Sequence, residues 1–381
     1  MSIQEYKISQ RSVLFFVRKA LNRIFLASQR MSRLVRSDSL KVYYPYKNLL
    51  NTHPIFYRRY QFPPLKYSNI NGAVLAHWLN APESSSPNLP FVIEPNDHPL
   101  AVTGLSEPAE VLDSLDRAQD LYAGNNCKKI LVEGEGQLEL FKRYFSDSVL
   151  EKIEIVRLGS IAKPVDFENK FLSINRPVFL CLASDYKRKS VDLVLKAWLE
   201  SNAKLSCSLL LACPNVPPEI ADRVMLNGVR IISVAPLSEI EKHALYRQAH
   251  VVIASLHVDG GANIIEAFEN GLPVITMRSQ RSFVTNLNGW EINVPLYFYD
   301  QGYGQYWRTW ADFWSVLNQA KEVGEFDQTI QDFVKIFDFI AFNPEKLIIM
   351  GRHSHEDALG KFSLTVRNHK LNEIYINSVN K

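Results

Sequence analysis

The stretch from Val251 to Thr276, VVIASLHVDGGANIIEAFENGLPVIT, constrains the fold of this chain more than any other. The β-branched run Val251-Val252-Ile253 predicts a buried strand, Asp259-Gly260-Gly261 breaks it, Asn263 to Asn270 predicts a short helix, and Leu272 to Thr276 predicts the next strand. Gly271 stands where a helix C-cap glycine stands. In a parallel sheet the loop between a strand's C-terminal end and a helix faces the ligand crevice, because the helix N-terminus offers amide hydrogens to an anion. A carboxylate and two glycines in that loop point to a phosphate-bearing ligand. Glu266, read in the first helical turn, is placed to reach hydroxyl groups beyond the phosphates. A plainer reading stands beside this one: Asn263 and Glu266 have capping-box spacing, and Gly260-Gly261 can simply let the backbone turn.

The 381 residues, 46% hydrophobic and 22% charged, suffice for two ordinary domains, and a net charge of only +3 gives no overall argument for nucleic acid. The basic excess is local. Between Arg11 and Arg36 there are seven Lys or Arg residues and no acid, with Leu14, Val17, Leu21, Ile24 and Phe25 at helical spacing. This predicts an amphipathic helix lying on an anionic membrane surface. The alternatives are a helix packed on the protein's own core and, more remotely, a nucleic-acid arm. No apolar run reaches the roughly 18 residues of a membrane span, and no cleavage-site pattern follows the basic segment. The four cysteines form no metal-ligating pair, which suits reduced thiols in a cytoplasm. The expected location is therefore cytoplasmic, at the inner face of a membrane.

Along the chain, strands are predicted at 73–79, 91–94, 129–133 and 153–158, with helices at 109–122 and 135–145. After a hinge-like segment, 160–176, the alternation becomes regular: strand 178–184, helix 191–202, strand 205–213, helix 218–225, strand 229–234, and a helix opened by a Ser238/Glu241 capping box. Residues 278–295 read as a loop, followed by helices near 306–322 and 328–342. The expected organisation is a basic amphipathic helix over 1–38, a diverged Rossmann-like domain over 39–163, and a doubly wound parallel domain over 164–345. A C-terminal helix over 346–381 returns to the first domain.

The string IIEAFENGLPVI resembles the signature of the retaining, nucleotide-sugar-dependent glycosyltransferases of the GT-B fold, the group 1 enzymes of cell-wall and lipopolysaccharide synthesis. There, two glutamates separated by seven residues precede a Gly-x-Pro-Val-Ile strand entry. The second glutamate holds the ribose and the first contacts the transferred sugar. Glu266 matches the second; the first falls at Val258, with Asp259 the nearest acid. ASDYKRKSVDLVLKAW resembles the family's strand followed by Arg/Lys-x-Lys-Gly, so Lys189 and Arg188 would hold the donor diphosphate, with Ser190 in place of the glycine and Ser184 in place of an upstream arginine. PFVIEPNDHP offers His98, beside Asp97, as the cleft histidine; a turn before Pro99 is the plainer role. His77 is a weaker candidate, read as a core residue.

The resemblance implies transfer of a sugar to a glycan or lipid-linked acceptor with retention of configuration. Lys189, Asp259 and His98 would act in catalysis, and Arg188, Lys189, Gly260, Gly261 and Glu266 in donor binding. It implies no cofactor and no metal, in keeping with the lack of an Asp-x-Asp motif. The competing class is a silent protein of the same fold acting as a membrane scaffold. A soluble epimerase is a third, remoter option.

Overall fold

The computed structural model describes residues 41–43, 66–67, 73–79, 89–95, 115–172, 174–187, 189–232, 237–254, 261–277, 283–295 and 310–379. The amphipathic segment 11–36, His98, Arg188, Asp259 and Gly260 lie outside these residues.

Short apolar runs, too brief for helices and rich in Val, Ile and Leu, become the strands of two parallel sheets. The first holds β1 (Lys41–Tyr43), β2 (Lys66–Tyr67), β3 (Leu75–Leu79), β4 (Phe91–Glu94), β5 (Cys127–Val132) and β6 (Ile153–Ile155), in the order β2-β1-β3-β4-β5-β6. The very short β1 and β2 escape the sequence reading, since two or three residues carry no periodic signal. Helices α1 (Leu115–Ala123), α2 (Glu135–Tyr144) and α3 (Asp147–Leu150) belong to this half. Ala76, Trp78 and Ile93 share one buried cluster with Tyr122 of α1 and Phe141 of α2. Leu75, Val92 and Leu131 point to the opposite face, as the period of two requires.

A linker carrying the short α4 (Phe167–Lys170) leads into the second sheet. Its elements are β7 (Val178–Leu182), α5 (Val191–Glu200), β8 (Ser208–Ala212), α6 (Pro218–Met225), β9 (Val229–Ile232), α7 (Glu239–Gln248), β10 (Val251–Ile253), α8 (Gly261–Glu269), β11 (Val274–Met277) and β12 (Gly289–Ile292). The strand order β12-β11-β10-β7-β8-β9, parallel throughout, is the Rossmann order. Side chains of α5 and α6 share one core cluster with Phe179 and Leu209, and side chains of α7 and α8 share another with Leu180 and Val252. Both faces of the sheet are thus covered, which is why its strands read as continuous apolar runs.

Three sequence expectations change. The segment 278–295 contains β12 rather than being loop throughout. This strand is held by parallel pairing with β11 from Val274↔Gly289 to Met277↔Ile292, and its polar, one-sided composition hid it. Helix α8 begins at Gly261, so Glu266 sits in its second turn and Asn263 lies inside the helix. The segment 346–381 is not one helix but two, α11 (Lys346–Leu359) and α12 (Leu364–Val379), which follow α9 (Trp310–Glu322) and α10 (Asp327–Phe342). Gly360 ends α11, and α11 packs on α8. Only α12 reaches the first sheet, where Leu371, Ile374 and Tyr375 cover Leu75, Val92 and Leu131.

The chain therefore crosses between the sheets twice. The crossings are joined: Ser160 pairs in parallel with Ser363, through Ser160 N–H to Phe362 O at 2.5 Å and Leu364 N–H to Ser160 O at 2.9 Å. No helix among the described residues is long and apolar enough to cross a membrane.

Candidate functional site

In the second sheet the winding reverses between β7 and β10, which pair directly. At such a switch point the loops leaving the two C-terminal strand ends run to opposite faces and open a crevice. Lys189 lies on the loop after β7 and Gly261 opens the helix after β10, so the two sequence-predicted loops leave adjacent strands at the same edge.

The loop after β7 is a built turn. Lys189 N–H donates to Asp185 O at 3.2 Å, Ser190 N–H to Lys187 O at 3.0 Å and Val191 N–H to Tyr186 O at 3.1 Å. Ser190 takes a left-handed conformation, φ 47° and ψ 42°, where an L side chain crowds its own carbonyl. It is fully buried, its Oγ has no hydrogen-bond partner among the described residues, and it gives α5 no side-chain cap. The left-handed turn then runs directly into the N-terminus of α5; its own amides at Lys189, Ser190 and Val191 are engaged within the turn, so what this end offers an anion is the helix dipole. Lys189 is half-buried beside it.

Glu266 is the strongest sequence candidate with a described side chain. It is 7% exposed, and both carboxylate oxygens are engaged from α7. Lys242 Nζ lies 2.8 Å from Oε1 and from Oε2, and the Tyr246 hydroxyl donates to Oε2 at 2.8 Å. The carboxylate bonds across to α7, and Asn263 lies inside a helix that starts at Gly261 rather than at its cap, which removes the capping-box reading. Glu266 lines a cavity of about 470 Å3 between the linker 161–165, α7 and α8. One turn further along α8, Glu269 Oε1 accepts the Ile161 N–H at 2.9 Å and ties the linker to the same helix. The position of α7 is set by the expected capping box, with Glu241 N–H on Ser238 Oγ and Ser238 N–H on the Glu241 carboxylate.

The first sheet contributes a buried polar cluster around His77. His77 on β3 is fully buried, with Nδ1 2.5 Å from the Tyr375 hydroxyl of α12 and Nε2 3.4 Å from Glu94 of β4. Arg367 of α12 donates through Nη2 to both oxygens of Glu94, at 2.9 and 2.8 Å, and through Nη1 to the carbonyls of Val156 and Arg157. Burial pushes the His77 pKa down, partly offset by Glu94. The Glu94 carboxyl is held below its usual range by Arg367 and His77 against the opposing effect of burial. His77 is thus a buried core residue that helps to dock α12 through Tyr375.

Residues 176–294, from the start of β7 to the end of β12, match the model of the family described as glycosyl transferases group 1. The fold is similar to that of the pneumococcal O-GlcNAc transferase GtfA, whose structure holds UDP and GlcNAc, with TM-score 0.53 and 16% identity over 80% of this chain and 57% of that one. It is also similar to WaaG, a glycosyltransferase involved in lipopolysaccharide biosynthesis, with TM-score 0.51 and 15% identity over 80% and 78% of the two chains. Sucrose-phosphate synthase from Thermosynechococcus elongatus gives TM-score 0.52 and 14% identity over 80% and 74%. No curated protein matches by sequence.

Residues 176–294 thus match a group 1 glycosyltransferase model, and the fold of the chain is similar to that of GT-B proteins. The matched segment holds Lys189, Ser190, Lys242, Tyr246 and Glu266, whereas the first sheet and α12 lie outside it. At these identities the neighbours speak for the fold alone, and the chain spans little more than half of the pneumococcal enzyme. Sequence reasoning missed Lys242 and Tyr246 of this group 1 domain. Their spacing of four puts them on one face of α7, but nothing local in the sequence tells that the face meets Glu266. It also missed Arg367, whose partners Glu94 and Val156 are more than two hundred residues away.

Proposed function

We propose that this protein transfers a sugar from a nucleotide-sugar donor to a glycan or lipid-linked acceptor, with retention of anomeric configuration and without a metal. The observation that carries the proposal is Glu266. It is a nearly buried carboxylate at the wall of a cavity, inside the segment that matches the group 1 family, at the position where that family holds the donor ribose. The turn at Lys189 and Ser190 supports a diphosphate site on the adjoining strand. It combines a cation, a left-handed turn, a helix N-terminus and a buried hydroxyl with no hydrogen-bond partner among the described residues.

In this reading the bond between the sugar's anomeric carbon and the diphosphate breaks, with its electron pair going to the departing phosphate oxygen. The acceptor hydroxyl oxygen bonds to that carbon from the same face, and its proton passes to the departing phosphate. Charge grows on the diphosphate as the bond breaks, so Lys189 and Arg188 stabilise the transition state more than the ground state. The amides of Gly260 and Gly261 assist, Asp259 meets the sugar, and His98 stands near the reacting carbon. The segment 11–36 brings the enzyme to an anionic inner membrane surface where a lipid-linked acceptor resides.

The test is release of free nucleotide diphosphate from UDP-, GDP- and ADP-sugars, with and without membrane lipids, by the protein and by Glu266→Gln. Uridine donors come first because the pneumococcal neighbour was solved with UDP. Release that falls in the variant, with melting temperature unchanged, supports the proposal. Failure of every donor to be turned over or bound overturns it in favour of a silent scaffold.

A further inference from the structure

The carboxylate proposed to hold ribose does not orient itself. It hangs from α8 on a side chain with three rotatable bonds, yet both of its oxygens are claimed by two donors from consecutive turns of α7. These are Lys242 Nζ, 2.8 Å from each oxygen, and the Tyr246 hydroxyl, 2.8 Å from Oε2. α7 is a firm platform for them. Its first turn is closed by the Ser238/Glu241 capping box, and the Tyr246 carbonyl accepts a bond from Lys170 of α4 at 2.9 Å. Both ionic side chains are largely but not fully covered, Lys242 at 14% exposure and Glu266 at 10%, at a cavity wall rather than within the apolar core.

An ion pair so placed is a poor way to gain stability, because desolvating the two charges offsets most of their attraction. It is a good way to fix direction. An ionised carboxylate has about four acceptor directions; two donors on one side leave the remainder turned away from α7.

We propose that Lys242 and Tyr246 are positioning residues that lock Glu266 in the orientation in which it accepts the vicinal 2′ and 3′ hydroxyls of a ribonucleotide. Selection of ribose over deoxyribose is then set from α7. This rests on the ribose reading of Glu266 and adds to it the residues that make that carboxylate selective. A site built to hydrogen-bond a hydroxyl rejects the analogue that lacks it, since its own polar group is left unpaired.

The experiment is titration calorimetry of the full chain and of Lys242→Met, Lys242→Arg and Tyr246→Phe. The ligands are uridine, guanosine and adenosine diphosphates and their 2′-deoxy counterparts, and melting temperatures are recorded in parallel. The unaltered protein is expected to favour its ribonucleotide by roughly 10- to 100-fold. Lys242→Met and Tyr246→Phe are expected to shrink that ratio by about fivefold or more, and Lys242→Arg to keep most of it because the charge remains. Should Lys242→Met fail to fold, Tyr246→Phe removes one hydroxyl only and carries the test. An unchanged ribose-to-deoxyribose ratio in the folded variants overturns the positioning role, whatever happens to melting temperature. If the unaltered protein shows no such preference, the ribose reading of Glu266 falls, and this inference with it.

Discussion

Ser190 shows how one residue can record a conformational demand. The family pattern has glycine there, and the structure shows why, since φ is 47° and the side chain is fully buried. A left-handed non-glycine residue costs about 1–2 kcal/mol and an unsatisfied buried hydroxyl about 1–3, while glycine gives back about 0.4–1 through the unfolded chain. Ser190→Gly should therefore raise unfolding free energy by about 1 kcal/mol, read from the denaturant midpoint; a lower midpoint would show that the hydroxyl has a stabilising role.

His250 makes a second residue-scale prediction. Its Nδ1 accepts the Val178 N–H at 3.0 Å, and burial, together with the nearby charge of Lys170, pushes its pKa down from 6.5 to about 4. Because the folded pKa is depressed, the unfolded chain binds the extra proton first. Stability is intact above pH 6.5 and is lost between there and about 4, at up to about 1.4 kcal/mol per pH unit. His77 is shifted in the same direction. His250→Asn keeps an acceptor for Val178 but does not titrate, so its unfolding free energy should fall less over that window than that of the unaltered protein. Parallel curves would assign the acid sensitivity elsewhere.

At the scale of elements, most of the second domain was legible because β7, β8, β10 and β11 are almost fully buried apolar runs. α6 and the α7 capping box stand where the sequence put them. β12 was not legible. It is an edge strand with exposed and buried positions, and it exists because Gly289 lets it approach β11: a Cβ there would lie 2.1 Å from the Val274 carbonyl oxygen. Only a tertiary neighbour makes that glycine necessary. Gly289→Ala must push backbone apart, so a loss of about 3 kcal/mol, the upper end for overpacking, is expected in chemical denaturation. A loss under about 1 kcal/mol would show that β12 yields easily.

At the scale of the molecule, α12 fastens the two ends of the described chain into one sheet face. Arg367 neutralises the buried Glu94 and caps the carbonyls of Val156 and Arg157 where the first crossing leaves β6. Removing one member of a buried pair costs about 3–5 kcal/mol because the other is left charged and dry. Arg367→Met should therefore lower the melting temperature markedly, and Arg367→Met with Glu94→Gln should recover part of the loss; no recovery would mean that the carbonyl contacts, not the pair, matter.

The basic segment belongs to this scale too. Vesicle co-sedimentation of the full chain and of a version lacking residues 1–36 should show binding to anionic lipid only for the former. That binding should weaken without vanishing in high salt, because screening removes the charge contribution and leaves the apolar one. Equal sedimentation of the two would return the segment to a role within the protein.

What the sequence determined by itself was whatever short-range pattern encodes. It set the parallel α/β rhythm from Val178 to Ile275, the cationic run before α5, the capping box of α7 and the candidacy of Glu266. Each rests on residues within a few positions of one another, where propensity and spacing act directly. The tertiary structure alone decided that Glu266 is gripped by Lys242 and Tyr246, that the core residue His77 faces Tyr375, that Glu94 answers Arg367, and that α12 rather than all of 346–381 returns to the first sheet. These contacts join residues twenty to nearly three hundred positions apart. They are selected by burial, which makes a charge or hydroxyl taken from water costly unless it finds a partner, and no local pattern names that partner.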